Sequence, residues 1–196
     1  MRRRTFDALA SVAGLVLAAV LLVAGGLLLW GHSFVSNEVH SQLAAQKIIF
    51  PAKGSPELKA LPATDAAAMS QYAGQLMTTG AQAETYADHF IAVHLVKIGG
   101  GKTYSQLSAA SLAQPNNAAL AAQVQAVFRG ETLRSMLLNA YGFWKMGQIM
   151  FVGAIVALVA AGVMLILSLF GLVHMRQAAP ESEVFPQLAT RVEVNA

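Results

Sequence analysis

Two uncharged apolar runs, Ala8 to Trp30 and Ile149 to Val173, stand near opposite ends of the 196-residue chain. Each exceeds the roughly 20 apolar residues that cross about 30 Å of hydrocarbon as a helix. A segment withdrawn from water must satisfy its own backbone hydrogen bonds, and a helix does so without a partner. The two runs therefore predict two transmembrane helices around one polar insert. The expected fold class is an all-α membrane protein. Residues 1–7 form a cytoplasmic N-terminus, 8–30 and 149–173 the spans, 31–148 a small, mainly helical extracytoplasmic domain, and 174–196 a disordered cytoplasmic tail.

Charge orients the pair. Arg2, Arg3 and Arg4 precede the first span, and only Lys47 falls in the twenty residues after it. Cytoplasmic flanks carry the excess of Lys and Arg, so both termini are expected in the cytoplasm and the protein in the inner (plasma) membrane, multi-pass. Arg129, Arg134 and Lys145 precede the second span on the outer side, against the bias. Long inserts translocate largely regardless of charge, so the first span decides. The first run also exceeds the 7–15 residues of a signal-peptide core, which favours an uncleaved anchor. Trp30 and the group Tyr141, Phe143 and Trp144 fall at the outer ends of the spans, where aromatic belts form. Ala10, Gly14 and Ala18 recur every four residues, as do Gly153, Ala157 and Ala161, and such small-residue stripes let helix backbones approach closely. In an antiparallel pair Ala18 would lie near Ala161 or Gly162, and Gly26 near Gly153. Neither span holds an ionisable residue in its interior, which counts against a transporter acting alone.

The insert is not a nucleic-acid surface. Its eight Lys/Arg and six Asp/Glu are scattered singly, with no basic stripe interleaved by aromatics. The chain has no cysteine, which removes disulfides, thiolate metal sites and cysteine nucleophiles together. Helical spacing runs through residues 37–47. Ile48-Ile49-Phe50 reads as an edge strand or an apolar anchor, and the prolines of 51–62 as an exposed loop. Thr64 or Asp65 is placed to cap a helix running to about Met77. A second helix reaches Lys97, with Tyr86, Phe90, Val93 and Val96 as its core face and Glu84, Asp88 and His89 nearer the polar side. Gly99-Gly100-Gly101 ends it, Lys102 to Ser111 is a connector, and Asn116 or Asn117 begins a last helix that can run into the second span.

Chemical motifs are few. Gly101-Lys102-Thr103 has the ending of a phosphate loop, but the glycine required five places earlier is Val96. His32, His40, His89 and His94 lie in the insert. His89 and His94 are five apart, about 140° around a helix, whereas a helical metal pair needs an i, i+4 spacing. Glu84 and Asp88 share a face beside His89, so these four are the candidate metal-binding residues, in need of a further ligand such as His40 or Glu131. No serine sits in a Gly-x-Ser-x-Gly or similar nucleophile signature. Glu131 and Arg134 are spaced to pair on one helix, and Asn139 is a polar residue in an apolar stretch, suited to hydrogen bonding across helices.

Gln46-Lys47-Ile48, His94 ahead of Gly100-Gly101-Lys102-Thr103-Tyr104 with Leu107, and Glu131-Thr132-Leu133-Arg134 resemble a family of small, uncharacterised actinobacterial two-span membrane proteins. The resemblance covers most of the chain and implies an architecture. Members often carry the label of ring-opening aromatic dioxygenases. Those enzymes hold iron with histidines and a carboxylate in a soluble domain, and no matching constellation is written here. The expectation is a non-catalytic integral membrane protein without a cofactor, accessory to a membrane or cell-envelope assembly. Its partners would be the lipid bilayer and a membrane protein or a second copy of itself. The alternative is an extracytoplasmic metal- or ligand-binding domain, sensor or enzyme, anchored by two helices.

Overall fold

The computed structural model describes residues 3–177. These are helical apart from turns and one isolated antiparallel β-bridge between Ile49 and Leu76. The elements are α1 (Arg3–Ala45), α2 (Pro56–Lys59), α3 (Ala63–Ser70), α4 (Gly80–Tyr86), a π-helical turn (Ala87–Ile91), α5 (Ala92–Gly99), α6 (Tyr104–Ala113) and α7 (Ala118–Gln177). The described residues divide into two compact units, one of residues 3–31 with 149–177, the other His32–Gln148. Helix α1 has 43 residues and α7 has 60, so each is longer than the apolar run it contains. From residue 178 the expected disordered tail lies outside the described residues, while 174–177 continue α7.

In the first unit the apolar parts of α1 and α7 pack antiparallel through small residues. Ser11, Ala18 and Gly25 on α1 are buried, as are Ala154, Ala161 and Ser168 on α7. Each set recurs every seven residues. A β-carbon added at Gly14 would land on the Ser168 hydroxyl, and one at Gly171 on that of Ser11. Two Ser-x-x-Gly segments, 11–14 and 168–171, thus face each other, each serine over the other's glycine. At Gly25 an added β-carbon would stand only 2.8 Å from Leu158 Cδ2.

The four-residue stripes are therefore corrected. Gly14, Ala18 and Ala161 lie in the seam, and Gly153 is half-buried opposite Leu28. Ala157 is half-buried, Ala10 is exposed with Ser11 in its place, and Gly26 has open space around it while Gly25 makes the contact. The cause is geometric. A four-residue step advances 400° and drifts 40° off the seam, whereas alternating steps of three and four nearly hold their line.

The large side chains point the other way. Val12, Val16, Val20, Val23, Val152, Val156, Val159 and Ile166 are each between 55% and 64% exposed. Small residues inside and branched apolar residues outside invert the arrangement of a water-soluble helix pair.

The second unit has an ordinary apolar core. The α4–π–α5 segment lies antiparallel to α7. Gly80 meets Trp144, Asp88 meets Arg134, Leu95 meets Gly130, and the Gln123 side-chain amide donates to the Ile98 carbonyl at 2.7 Å. Core positions along this segment are Ala83, Ala87, Ile91, Leu95 and Gly99, every fourth residue. An α-helix would carry such a set steadily around its axis, and the wider π turn returns it toward one face. This overturns part of the expected core face, since Val96 is 62% exposed. Tyr86, Phe90 and Val93 pack at its margin.

The apolar anchor is Phe50, 1% exposed. Its ring lies 5.4 Å from both Tyr72 and Tyr86, and Tyr86 continues to Phe90 at 4.8 Å. Backbone bonds from Phe50 to the Gln75 carbonyl and from Met77 to the Ile48 carbonyl, each 2.9 Å, hold it there. The helix expected to run to Met77 therefore stops at Ser70, because residues 75–77 are taken by this bridge. It also begins at Ala63 after Pro62, so Thr64 and Asp65 lie inside it rather than capping it. The expected connector at 102–111 is instead α6. Thr103 and Gln106 form a capping box at its start, and Leu107 is buried beneath it.

Two glycines should respond oppositely to alanine. A methyl at Gly80 would overlap the Trp144 Cβ and ring, so Gly80→Ala is expected to cost about 1–3 kcal/mol. Gly142 has nothing within 4 Å, and Gly142→Ala should stabilise α7 by about 0.5–1 kcal/mol. Thermal melts of the two variants in the same detergent check the pair of signs.

Candidate functional site

The second unit presents two features with chemical character. One is a polar lattice around the π turn. The wider turn places Asp88 and His89 toward different neighbours. His89 Nδ1 donates to Asp65 Oδ1 at 2.7 Å, and the Arg134 Nη2 donates to Asp88 Oδ1 at 2.8 Å. Glu131, one turn before Arg134 on α7, stands 3.9 Å from its Nη1. The charge of Glu84, with a hydrogen bond from the phenol, pushes the Tyr141 hydroxyl above the usual tyrosine range. His94 Nδ1 donates to the Phe90 carbonyl at 2.7 Å, its ring 4.4 Å from that of Phe90. His32 Nδ1 bonds the Gly147 carbonyl at 2.9 Å, and His40 is exposed on α1.

The candidate metal ligands are thus distributed among different partners. Asp88 is engaged by a guanidinium, Glu84 by a phenol, His89 by Asp65 and His94 by a backbone carbonyl. Among the described residues no group of three His, Cys, Asp or Glu side chains could hold a metal ion. Asp65 fixes the His89 imidazole in the way the carboxylate of a catalytic triad does. Asp65 was legible only as a capping residue, because nothing in sequence links it to His89, 24 positions away. The phosphate-loop letters have a structural use. Gly100 takes the left-handed cap at φ 59° that closes α5, and Thr103 starts α6.

Tyr86 offers a pH test of the packing. Burial pushes its hydroxyl above the ordinary value near 10, because the phenolate is poorly solvated there. The unfolded chain then loses this proton first, so the contribution is complete below about pH 10 and is lost as pH rises further. Denaturation in alkali should ease above about pH 10 and do so less in Tyr86→Phe, as followed by circular dichroism against pH.

The second feature is a groove of about 550 Å³ between α1 and α7. Val39, Leu43 and Leu137 are buried in its floor. The lip along α1 is polar at Glu38 and Gln42 and at Gln46 just past the helix end, while the α7 lip carries Met136 and Phe143, exposed by 62% and 59%, with Asn139 between them. The split follows helical phase, since residues 35, 39 and 43 turn inward and 38, 42 and 46 turn out. Glu38 is the one acidic or basic side chain in the lining, and Gln42 donates to it.

The aromatic group divides the same way. Trp30 and Phe143 are exposed, by 67% and 59%. Tyr141 and Trp144 turn toward α4 instead, since they lie about 20° and 80° from Arg134 in helical phase while Phe143 is opposite it, and Trp144 covers Gly80. No family model, curated protein or solved structure matches this chain.

Proposed function

We propose that the chain is an integral membrane protein of the inner membrane, with both termini cytoplasmic and residues 31–148 forming a helical domain on the outer face. Its role is accessory and non-catalytic, holding that domain at the bilayer surface for a larger membrane or envelope assembly. One observation carries the reading. Two helices long and apolar enough to cross a membrane pack through Ser11, Gly14, Ala18, Ala161, Ser168 and Gly171 while their valines, isoleucines and leucines face outward. Only 17% of each apolar window is buried, whereas the core helix of a soluble protein is mostly buried. Lipid is the solvent in which that outward face costs nothing.

The rival with a metal centre has less behind it, because His89, His94, Asp88 and Glu84 each serve a different partner. A ligand-binding role has the groove in its favour. The membrane reading is tested by alkaline carbonate extraction and by tags in intact spheroplasts. The chain should stay with the membrane, a tag near residue 60 should be cut by added protease, and a C-terminal tag should be protected. Release by carbonate, or a shielded tag near residue 60, would sink it.

A further inference from the structure

The groove between α1 and α7 is lined by fourteen residues, fewer than the 20–30 a side of a stable protein interface. Its volume of about 550 Å³ and largely apolar lining with a few polar groups match a small-ligand site. One face of α1 says which ligand. The lining that α1 gives the groove begins at Phe34 and Val35, four and five residues past the apolar run that ends at Trp30, and turns polar at Glu38 and Gln42. An occupant lying along this face changes from tail to head between Phe34 and Glu38. The head meets a carboxylate and two amides, and no lining residue carries positive charge.

We infer that the groove binds a single membrane lipid, its acyl chain against Val35 and Phe143 and an amine-bearing, zwitterionic head beside Glu38. This rests on the membrane reading above. The charge complementarity is specific: an ammonium donates to the Glu38 carboxylate, while a head with net negative charge is repelled by it. Gln42, which now donates to Glu38, is free to reorient toward the head's oxygens.

The test uses the full chain in nanodiscs containing equal phosphatidylethanolamine and phosphatidylglycerol with the same acyl chains. Native mass spectrometry counts the lipid retained on release. Wild type should keep one lipid, the ethanolamine form favoured roughly five- to tenfold, the size of one charge-assisted hydrogen bond. Glu38→Gln should bring the ratio near one. Ala140→Trp fills the groove and should abolish retention. Gln42→Trp does so from the exposed lip, so it still reports if the first variant unfolds. Equal retention of both lipids by wild type, retention of none, or unchanged adducts in both tryptophan variants overturns the proposal. Carbonate extraction of the same preparation separates the two readings. A chain that resists extraction yet shows no lipid preference loses the lipid site alone, and a chain that is extracted loses both.

Discussion

Cysteines placed at Ser11 and Gly171 should join almost completely under mild oxidation in native membranes. A β-carbon at position 171 would stand 3.6 Å from the Ser11 Cβ, within the 3.5–4.5 Å that a disulfide requires. The chain has no cysteine of its own, so the signal has no background. Gly14 with Ser168 gives the same geometry at 3.5 Å and should behave alike. Ala10 with Gly171 is the control, because Ala10 is exposed, and should join little. Adding Gly14→Leu to the Ser11–Gly171 pair should suppress the bond, since the new side chain must occupy the place of the Ser168 hydroxyl. Mobility on non-reducing gels reads all four. Strong joining through Ala10 and weak joining through Ser11 would mean the seam runs every four residues after all.

Phe50→Ala should be the most damaging single truncation in the second unit, costing about 3–5 kcal/mol. Phe50 is 1% exposed and holds Tyr72 and Tyr86 on either side. Removing its ring opens a cavity that its neighbours, themselves tied to α3 and α4, cannot close. It also loosens the short bridge to residues 75–77, whose partner strand is anchored by that ring. Phe50→Leu keeps most of the volume and should cost less than half as much. Thermal unfolding in detergent, followed by near-ultraviolet circular dichroism of the tyrosines, gives the comparison. A melting point unchanged by Phe50→Ala would remove Phe50 from the centre of the core. For a unit of this size, spanning residues 32–148, each kcal/mol moves the midpoint by several degrees.

Much of the architecture was legible because it depends on composition over long windows. Twenty uncharged apolar residues withdrawn from water satisfy their own backbone only as a helix, so the apolar runs within α1 and α7 could be placed from the chain alone. The stop at Gly99–Gly101 was legible too, because one backbone conformation there favours glycine. Local signals failed where a distant partner competed. Residues 75–77 left the helix for Ile48 and Phe50, and the stretch taken as a connector became α6, since Leu107 found a buried place and Thr103 a capping box. The π turn was invisible because its four-residue core repeat reads as ordinary noise around 3.6.

The candidate site was less legible still. His89, Asp88 and Glu84 were singled out as neighbours in sequence, which suggested one cluster. Tertiary packing sent each to a different partner, Asp65 on α3 and Arg134 and Tyr141 on α7. The groove had no sequence signature, since it is the space between two faces 100 residues apart, and Glu38 stood out in neither charge nor spacing. The sequence by itself determined the two apolar helices, the absence of thiol chemistry and the helical class of the insert, because hydropathy and residue chemistry act locally and sum along the chain. Tertiary structure alone decided the seven-residue seam, the pairing of each polar side chain and the groove, because these depend on which face meets which, and one residue of phase turns a face by 100°.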